Sequence, residues 1–276
     1  MRRIVLYMAA IFLLQACNKD NTPPAQPGTG TTPPADVVLL KDIVYSSLPS
    51  PYYHFEYNTA DKISKASFAS DLAVYQVSYA GNNISEVKQI NGSNHDRIEY
   101  TYDNGKPVIA KYIKTDGTNY LNVFFNYTAE GKLSSMEWDM KSGDIGFLVY
   151  KEINFTYYTD GNLMDMTFHY HDIDGIQTAT TFTDHYENYD SNKNADEFTL
   201  YQEFNIHTLL LPQIKLQQNN PGKVTRTGSA SLTYEINYTY TYNSNKFPLN
   251  KNGMLKITSG PDTGKVFSIS AQFSYY

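Results

Sequence analysis

A short unit, made of alternating aromatic residues, a turn and a second apolar segment, recurs through most of this 276-residue chain. Five clear copies begin at Tyr53, Tyr75, Ile98, Val123 and Ile153, and two looser copies begin at His185 and Glu235. The last aromatic residue before the turn is a tyrosine in each clear copy, and these tyrosines stand 22, 23, 25 and 30 residues apart. A period in this range indicates a fold assembled from one supersecondary element.

The unit has the pattern of a β-hairpin. In Ile98–Tyr102 large apolar side chains alternate with polar ones, which is typical of a half-buried strand. The pair Asn104-Gly105 follows, and both residues tolerate the positive φ of a tight reversal. In the returning segments the apolar spacing is three and then two, as at Leu133, Met136 and Trp138. This change of phase predicts a β-bulge at the start of the returning strand.

Repetition of the hairpin predicts an all-β fold, an antiparallel up-and-down meander of about 14–16 strands over residues 37–276. Long open sheets twist and leave edges that invite pairing, so we expect closure into a β-barrel, round or flattened. A round barrel of this size would enclose a lumen that wall side chains alone cannot fill. No convincing helical stripe follows the N-terminal segment; residues 196–211 come nearest, and they also fit a strand.

The N-terminus has the features of an exported, anchored protein. A basic start precedes an apolar run at 4–14, which is too short to span a bilayer and suits a signal peptide over residues 1–16. Leu14-Gln15-Ala16-Cys17 is similar to a bacterial lipobox, which implies cleavage before Cys17 and lipidation of that residue; an ordinary secretory signal is the alternative. Residues 17–36 are rich in Pro and Thr, so we expect an extended tether.

The composition excludes several classes of protein. The chain has 22 Lys+Arg against 28 Asp+Glu, whereas a nucleic-acid surface needs clustered basic residues. Aromatic residues make up 14% of the chain, which argues against disorder over its whole length. Cys17 is the sole cysteine, so a disulfide scaffold is excluded. We therefore expect no nucleic-acid partner, and no motif indicates a cofactor.

Two resemblances support a barrel. The aromatic-x-Tyr strand, with Asp/Glu/Asn-Gly, Lys/Asn and Leu/Ile after it, resembles the YD repeats of RHS-type surface proteins, although their Arg before the aromatic pair is absent. The lipobox, tether and Tyr-rich meander together are more similar to a Bacteroidota lipoprotein family of unknown function with a porin-like fold. Lys19-Asp20 is similar to the export signal of surface lipoproteins in that group. The resemblance implies lipid anchoring at the outer membrane, with the cell surface favoured over the periplasmic face, and implies no activity.

Few residues stand out as candidates for chemistry. His169 and His171 would share one face of a strand, a spacing that zinc sites use, but the sequence fixes no third ligand; the alternative is a polar strand face that runs into a turn. Ser, His and Asp occur together at 93–96, yet triads are assembled by folding and not by adjacency. Trp138 is a candidate for stacking on a glycan or contacting another envelope protein.

The sequence favours a lipid-anchored, non-catalytic envelope protein whose β domain binds a ligand or a partner. A transmembrane β-barrel channel is the first alternative, since the chain ends on Tyr276, which resembles the terminal aromatic signal of outer-membrane barrels. Against this alternative, the early strands, such as Tyr53–Tyr57 and Ile98–Tyr102, alternate over about five to seven residues and rise only ~12–16 Å, short of the ~25 Å apolar band that such barrels need. Later stretches, at 152–158 and 234–242, are somewhat longer. A metal-dependent hydrolase around His169 and His171 is the second alternative.

Overall fold

The repeating hairpins pair into one continuous wall in the computed structural model. The structure describes residues 38–93, 95–173, 178–195, 200–202, 208–230 and 232–276. The predicted signal peptide at 1–16, the lipidation site Cys17 and nearly all of the tether lie outside these residues. The regular secondary structure of the described part consists of β-strands.

The strands follow the predicted hairpins closely. Their bounds are β1 Leu40–Tyr45, β2 Tyr53–Tyr57, β3 Ile63–Phe68, β4 Ala73–Ala80, β5 Asn83–Gln89, β6 Arg97–Asp103, β7 Lys106–Ile113, β8 Asn119–Tyr127, β9 Leu133–Ser142, β10 Gly146–Tyr157, β11 Leu163–Tyr170, β12 Thr180–Glu187, β13 Leu200–Gln202, β14 Thr208–Leu210, β15 Lys223–Gly228, β16 Tyr234–Tyr242, β17 Pro248–Ile257 and β18 Val266–Tyr275.

The wall is a closed antiparallel barrel of β1–β12 and β15–β18, while β13 and β14 form a separate hairpin. Each wall strand pairs with its neighbours along the chain, apart from the β12–β15 pair, which skips that hairpin. The barrel closes where β1 meets β18, with Leu40 opposite Tyr275 and Tyr45 opposite Ala271. The predicted all-β meander of about 14–16 strands that closes into a barrel is therefore confirmed, with sixteen strands in the wall.

The predicted bulges are present. Tyr127 lies opposite Leu133 while Asn126 lies opposite Ser135, so one residue of the returning strand is unpaired. The same shift follows Tyr157, which lies opposite Leu163. This change of register keeps both Tyr157 and the larger apolar residues of the next strand on the inner face. At the reversal between β6 and β7, Asn104 and Gly105 both have positive φ, as the turn requires.

Side chains alternate between an apolar inner face and a polar outer face. In β8 the buried residues are Leu121, Val123 and Phe125, and the residues of the opposite face include Asn122 and Asn126. Buried residues of this kind from β1–β11 belong to one hydrophobic cluster. Each fully buried side chain stabilises the fold by roughly 1.5–3 kcal/mol relative to exposure. The rings of the outgoing strands are therefore shielded together inside the barrel.

The described residues between β12 and β15 fill part of the lumen, and we call residues 188–195, 200–202 and 208–222 the plug. Its apolar side chains join the cluster formed by the wall strands; they belong to Leu209, Leu210, Leu211, Ile214 and Leu216. The hydroxyl of Tyr100 on the wall donates a hydrogen bond of 2.8 Å to the Leu210 carbonyl. The Asn162 side-chain oxygen accepts hydrogen bonds from the Gln218 and Asn219 amides. These contacts hold the plug inside the barrel.

One predicted hairpin is wrong. The looser copy that begins at His185 does not turn back on itself, because β12 ends at Glu187 and pairs instead with β15 from Lys223 onward. The Asp190 carboxylate accepts hydrogen bonds from the Asn192 and Asn220 backbone amides. These bonds tie the start of the plug to its end, so β12 is not followed by a tight turn and a directly returning strand.

Candidate functional site

One end of the barrel carries the tight turns, and we call this end the rim. It is held together by the tyrosine that recurs just before the turn of each hairpin. In successive hairpins its hydroxyl donates to a carbonyl near the start of the preceding returning strand. These bonds join Tyr57 to Leu40, Tyr79 to Ile63, Tyr127 to Pro107, Tyr157 to Leu133, Tyr189 to Leu163 and Tyr275 to Pro248, at 2.7–2.9 Å. In the hairpin of β6 and β7 the Tyr102 hydroxyl is buried near Ile84 without a hydrogen bond of good geometry. Apart from the hairpin of β6 and β7, the repeat therefore makes these hairpins bond to the one before.

A lysine of the turn covers the same tyrosine of the next hairpin. Lys132 lies 4.8 Å from the centre of the Tyr157 ring, and Lys106 lies 5.1 Å from that of Tyr127. The Lys106 ammonium also donates to the Gly131 carbonyl at 2.9 Å. Burial raises the pKa of Tyr79, in the same series, to about 12. These tyrosines are neutral hydrogen-bond donors at physiological pH, and they serve the architecture of the rim.

A cavity of about 340 Å³ lies inside the barrel between the plug and the wall strands β1, β2 and β16–β18; we call it the lumen cavity. Its wall includes the rings of Tyr53, Phe55, Tyr238 and Tyr240. Of the described residues that line it, Lys251 alone has a charged side chain. Concave sites that are mostly apolar and hold a few polar groups are the usual form of small-molecule sites.

The position of Tyr238 in the cavity wall depends on a glycine on the neighbouring strand. Tyr238 lies directly opposite Gly253 in the β16–β17 pair. A Cβ atom at Gly253 would lie 2.8 Å from a carbon of the Tyr238 ring. The ring therefore lies over the glycine backbone, and the Lys251 ammonium is 4.1 Å from its centre. Burial raises the pKa of Tyr238 and Tyr240 above the ordinary value, so both hydroxyls are neutral.

Amide side chains of the plug form one end of the lumen cavity. The Asn194 side chain donates to the Gln217 side-chain oxygen at 3.1 Å and to the Asn219 carbonyl at 2.9 Å. The Asn220 side chain donates to the Lys193 carbonyl at 3.1 Å. Asn194 and Asn220 are both buried. These three hydrogen bonds are made within the plug, and they fix the amides at the end of the cavity.

An ion pair lies on the inner face farther along the wall. The Arg226 guanidinium donates to both oxygens of Asp184, at 2.7 and 2.6 Å, across the β12–β15 pair. The guanidinium carbon also lies 4.3 Å from the centre of the Phe182 ring. Burial alone would lower the pKa of Arg226, but hydrogen bonding and the charge of Asp184 raise it. A bidentate pair of this geometry neutralises the buried charge of Asp184 with that of the partly buried Arg226.

The structure places Trp138 inside the barrel. Its ring is 1% exposed, and the ammonium of Lys151, itself fully buried, lies 3.8 Å from the ring centre. A cation above an indole ring in a water-poor site is a stabilising contact. Ligand binding by Trp138 stays a prediction, and in this structure no face of the ring is open to a glycan outside the barrel.

His169 lies on the outer face, where its Nδ1 is 3.2 Å from the Thr181 hydroxyl oxygen. His171 follows the end of β11, and its Nε2 lies 3.6 Å from a Glu152 oxygen. In the ranges that the structure describes, no group of three His, Cys, Asp or Glu side chains is arranged to hold a metal ion. The predicted metal role of the two histidines remains untested. Asp174, near them in sequence, lies outside the described residues.

Carboxylates accumulate near these histidines on the outer face. Glu137 lies opposite Glu152 in the β9–β10 pair. Burial, then the charges of Asp139 and Glu152, raises the pKa of Glu137, and burial raises that of Asp139. These groups are partly exposed, so the arrangement is an acidic patch of the wall.

Among the described residues, no helix is long and apolar enough to span a membrane.

Comparison with known proteins gives a likeness of fold. No family model matches the chain, and no curated protein matches it. A solved porin-like protein from Bacteroides uniformis is similar over 87% of this chain and 95% of its own, with a TM-score of 0.56 and 13% identity. A second, from Bacteroides vulgatus, is similar over 86% of this chain and 99% of its own, with a TM-score of 0.57 and 15% identity. The predicted porin-like fold is confirmed; the lipoprotein family and the YD repeats remain predictions.

Proposed function

We propose that this chain is a lipid-anchored outer-membrane protein whose barrel stands in water and binds a small molecule in the lumen cavity without catalysis. The observation that carries the proposal is the polarity of the wall. Its inner face is apolar and its outer face is polar and charged. This arrangement is the reverse of that in outer-membrane porins, which are apolar outside and polar within.

Ion pairs on the outer face support a wall that faces water. His54 lies 2.6 Å from Asp42, Lys65 lies 2.9 Å from Glu56, and these pairs join neighbouring strands. Surface pairs of this kind contribute little to stability in water. In hydrocarbon the same charges would lose their hydration at a large cost.

The short strands on one side of the barrel agree with this placement, whereas β8–β10 and β16–β18 have 9–12 residues. A membrane strand needs about 9–11 residues at a ~45° tilt. β2 has five residues, and β1 and β3 have six each. At ~3.3 Å per residue and the same tilt, such strands rise only about 12–14 Å. This side of the barrel is too short to cross the apolar part of a bilayer.

The entry point of the chain fits an anchor and tether. β1 begins at Leu40, whose carbonyl accepts the Tyr57 hydroxyl bond at the rim of tight turns. The 19 residues from 18 to 36 could extend to ~60 Å in polyproline II form. Under this proposal the membrane is the partner of the Cys17 lipid, and the rim of tight turns is the side nearest the anchor. A glycan or a second envelope protein remains an expected further partner.

A transmembrane channel is the second candidate, because the barrel has sixteen closed strands and its structural neighbours are described as porin-like. The plug argues against it, since Leu209–Leu211 occupy lumen space that a water-filled channel would need.

The two candidates differ in their need for detergent. The strands that pair into the closed barrel lie within residues 40–275, so the chain from residue 38 onward contains the whole barrel. We expect residues 38–276 to remain monodisperse and β-rich in buffer without detergent. Aggregation that only detergent reverses would instead favour the channel. In the full chain, Cys17→Ala is expected to abolish incorporation of labelled fatty acid, and incorporation by that variant would contradict the anchor.

A further inference from the structure

We infer that the end of the barrel opposite the rim is a docking surface for a partner protein that presents apolar side chains among basic ones. This far end consists of the connections that follow β1, β3, β5, β7, β9, β11, β15 and β17, with the adjoining strand ends. The inference rests on the envelope-protein partner expected in the proposed function, and it names the surface and the chemistry of that contact.

Exposed apolar side chains are concentrated at the far end. Among the described residues, nine large apolar side chains are exposed. Six of them lie at the far end: Leu48, Leu72, Ile90, Ile145, Phe147 and Val266. Leu72 is 73% exposed and Ile145 is 77% exposed. Single exposed apolar residues are ordinary, but several at one end of a protein mark an interaction surface.

Hydrogen bonds between neighbouring connections fix part of this surface. The Ser70 amide donates to the Pro51 carbonyl at 2.9 Å, which joins the connection after β3 to the one after β1. The Asn91 side chain donates to the Asp71 carbonyl at 2.8 Å, which joins the connection after β5 to the one after β3. These three connections carry Leu48, Leu72 and Ile90. A partner therefore meets a preformed surface, and less conformational entropy is lost on binding.

The charge of the far end favours a basic partner. Its eight connections contain seven Asp and two Lys in sequence, whereas the tight turns after β2, β4, β6, β8, β10 and β16 contain three acidic and three basic residues. Asp71 directly precedes Leu72 and is itself exposed. Asp144 stands in the same position before Ile145 and is also exposed. A partner with basic side chains around an apolar patch would match this surface in both charge and polarity.

The same charges disfavour two other occupants. A bilayer with anionic headgroups has a negative surface potential, which repels an acidic surface. Two copies of the far end would bring like charges together, which opposes a symmetric dimer through this end. With the anchor near the rim, as proposed above, the far end also points away from the membrane.

The test is fluorescence anisotropy with two labelled heptapeptides, one of alternating Lys and Leu and one with Glu in place of Lys. Each is titrated with the full-length protein in non-ionic detergent, and protein-free detergent is the blank. We expect the Lys peptide to bind at least about 10-fold more tightly than the Glu peptide. Combining Leu72→Ser with Ile145→Ser should weaken its binding by about 10-fold or more, since two apolar contacts are lost. Equal affinity for the two peptides, or unchanged binding by the double variant, would overturn the inference.

The variants change exposed residues, so they should fold as the wild type does. Leu249→Ser is the matched control, because Leu249 is an exposed leucine at the rim end of β17. It should bind the Lys peptide as the wild type does. Loss of binding in this control equal to that in the double variant would contradict a site at the far end.

Contact with lipid is tested in vesicles of phosphatidylcholine with brominated acyl chains, which quench indole fluorescence. Ile145→Trp adds an indole at the far end of the full-length protein, whereas the native Trp138 is 1% exposed. We expect the added emission to equal that in unbrominated vesicles. Quenching would show a membrane contact and overturn the inference, as would a dimer that Ile145→Ser abolishes. These measurements do not use the solubility of residues 38–276, so this inference and the proposed placement of the barrel can fail separately.

Discussion

Leu210→Ala tests whether the plug is part of the folded core. Leu210 is 1% exposed and packs in the cluster that the wall strands form, and the Tyr100 hydroxyl donates to its carbonyl. The substitution removes three buried carbons at about 0.8 kcal/mol each, or about 2.4 kcal/mol, before the cost of a cavity. With that cost the free energy of unfolding should fall by about 3 kcal/mol, within the range for buried leucines.

The loss is measured by urea unfolding and by the thermal midpoint. For a domain of this size about 3 kcal/mol corresponds to a fall in Tm of roughly 6–12 °C. Leu72→Ala is the matched control, because Leu72 is 73% exposed on a loop and its truncation should change stability by less than about 0.5 kcal/mol. If both variants unfold at the same urea concentration as the wild type, the plug does not pack in the lumen.

Three other predictions follow from the inner face and the rim. Arg226→Met should cost about 3–5 kcal/mol in urea unfolding, because it leaves the Asp184 carboxylate buried without its partner, and adding Asp184→Leu should restore most of the loss; no recovery would refute this reasoning. Tyr157→Phe should cost about 1 kcal/mol through the lost hydrogen bond to Leu133, and an unchanged urea midpoint would refute it. Burial raises the pKa of Tyr79 to about 12, above the value of about 10 in the unfolded chain, so its contribution to stability is complete below pH 10 and is lost as the pH rises toward 12. The part of the tyrosinate absorbance that Tyr79→Phe removes should therefore appear together with unfolding in this range, and its appearance in a chain that keeps native circular dichroism would contradict the prediction.

Short sequence patterns predict most of the barrel wall. The alternation in Ile98–Tyr102 correctly predicts which side chains are buried. In a strand with one face shielded from water, every second side chain is apolar. The spacing at Leu133 and Met136 correctly predicts the bulge, since a change of phase needs an extra residue. Both features depend on residues close together in sequence.

The plug could not be predicted in the same way. It is fixed by contacts between distant residues, such as Tyr100 with Leu210 and Asn162 with Asn219. The Asp190 and Asn192 region has the composition of a tight turn, and it is tertiary hydrogen bonding to Asn220 that directs it into the lumen. Turn propensity alone cannot distinguish these outcomes.

The alternation of inward and outward side chains along β17 could have indicated the lumen cavity from the sequence. Lys251 precedes Leu255 by four residues and Ile257 by six, so it shares their face of β17. A charged residue on an apolar face is unusual and marks a place where the core contains a polar contact. The partners of that lysine come from other strands, and only the closed barrel shows that they surround one cavity.

The orientation of the wall can be measured directly with single cysteines at Thr101, Asn154 and Asn237, which are exposed positions on the outer face of three strands. A lipidated Cys17 would have no free thiol, so the full chain would give little background. In open membrane fragments without detergent, a charged maleimide should react with all three cysteines at similar rates. Protection of these positions that is relieved only by detergent would show that lipid covers the wall and that the barrel spans the membrane.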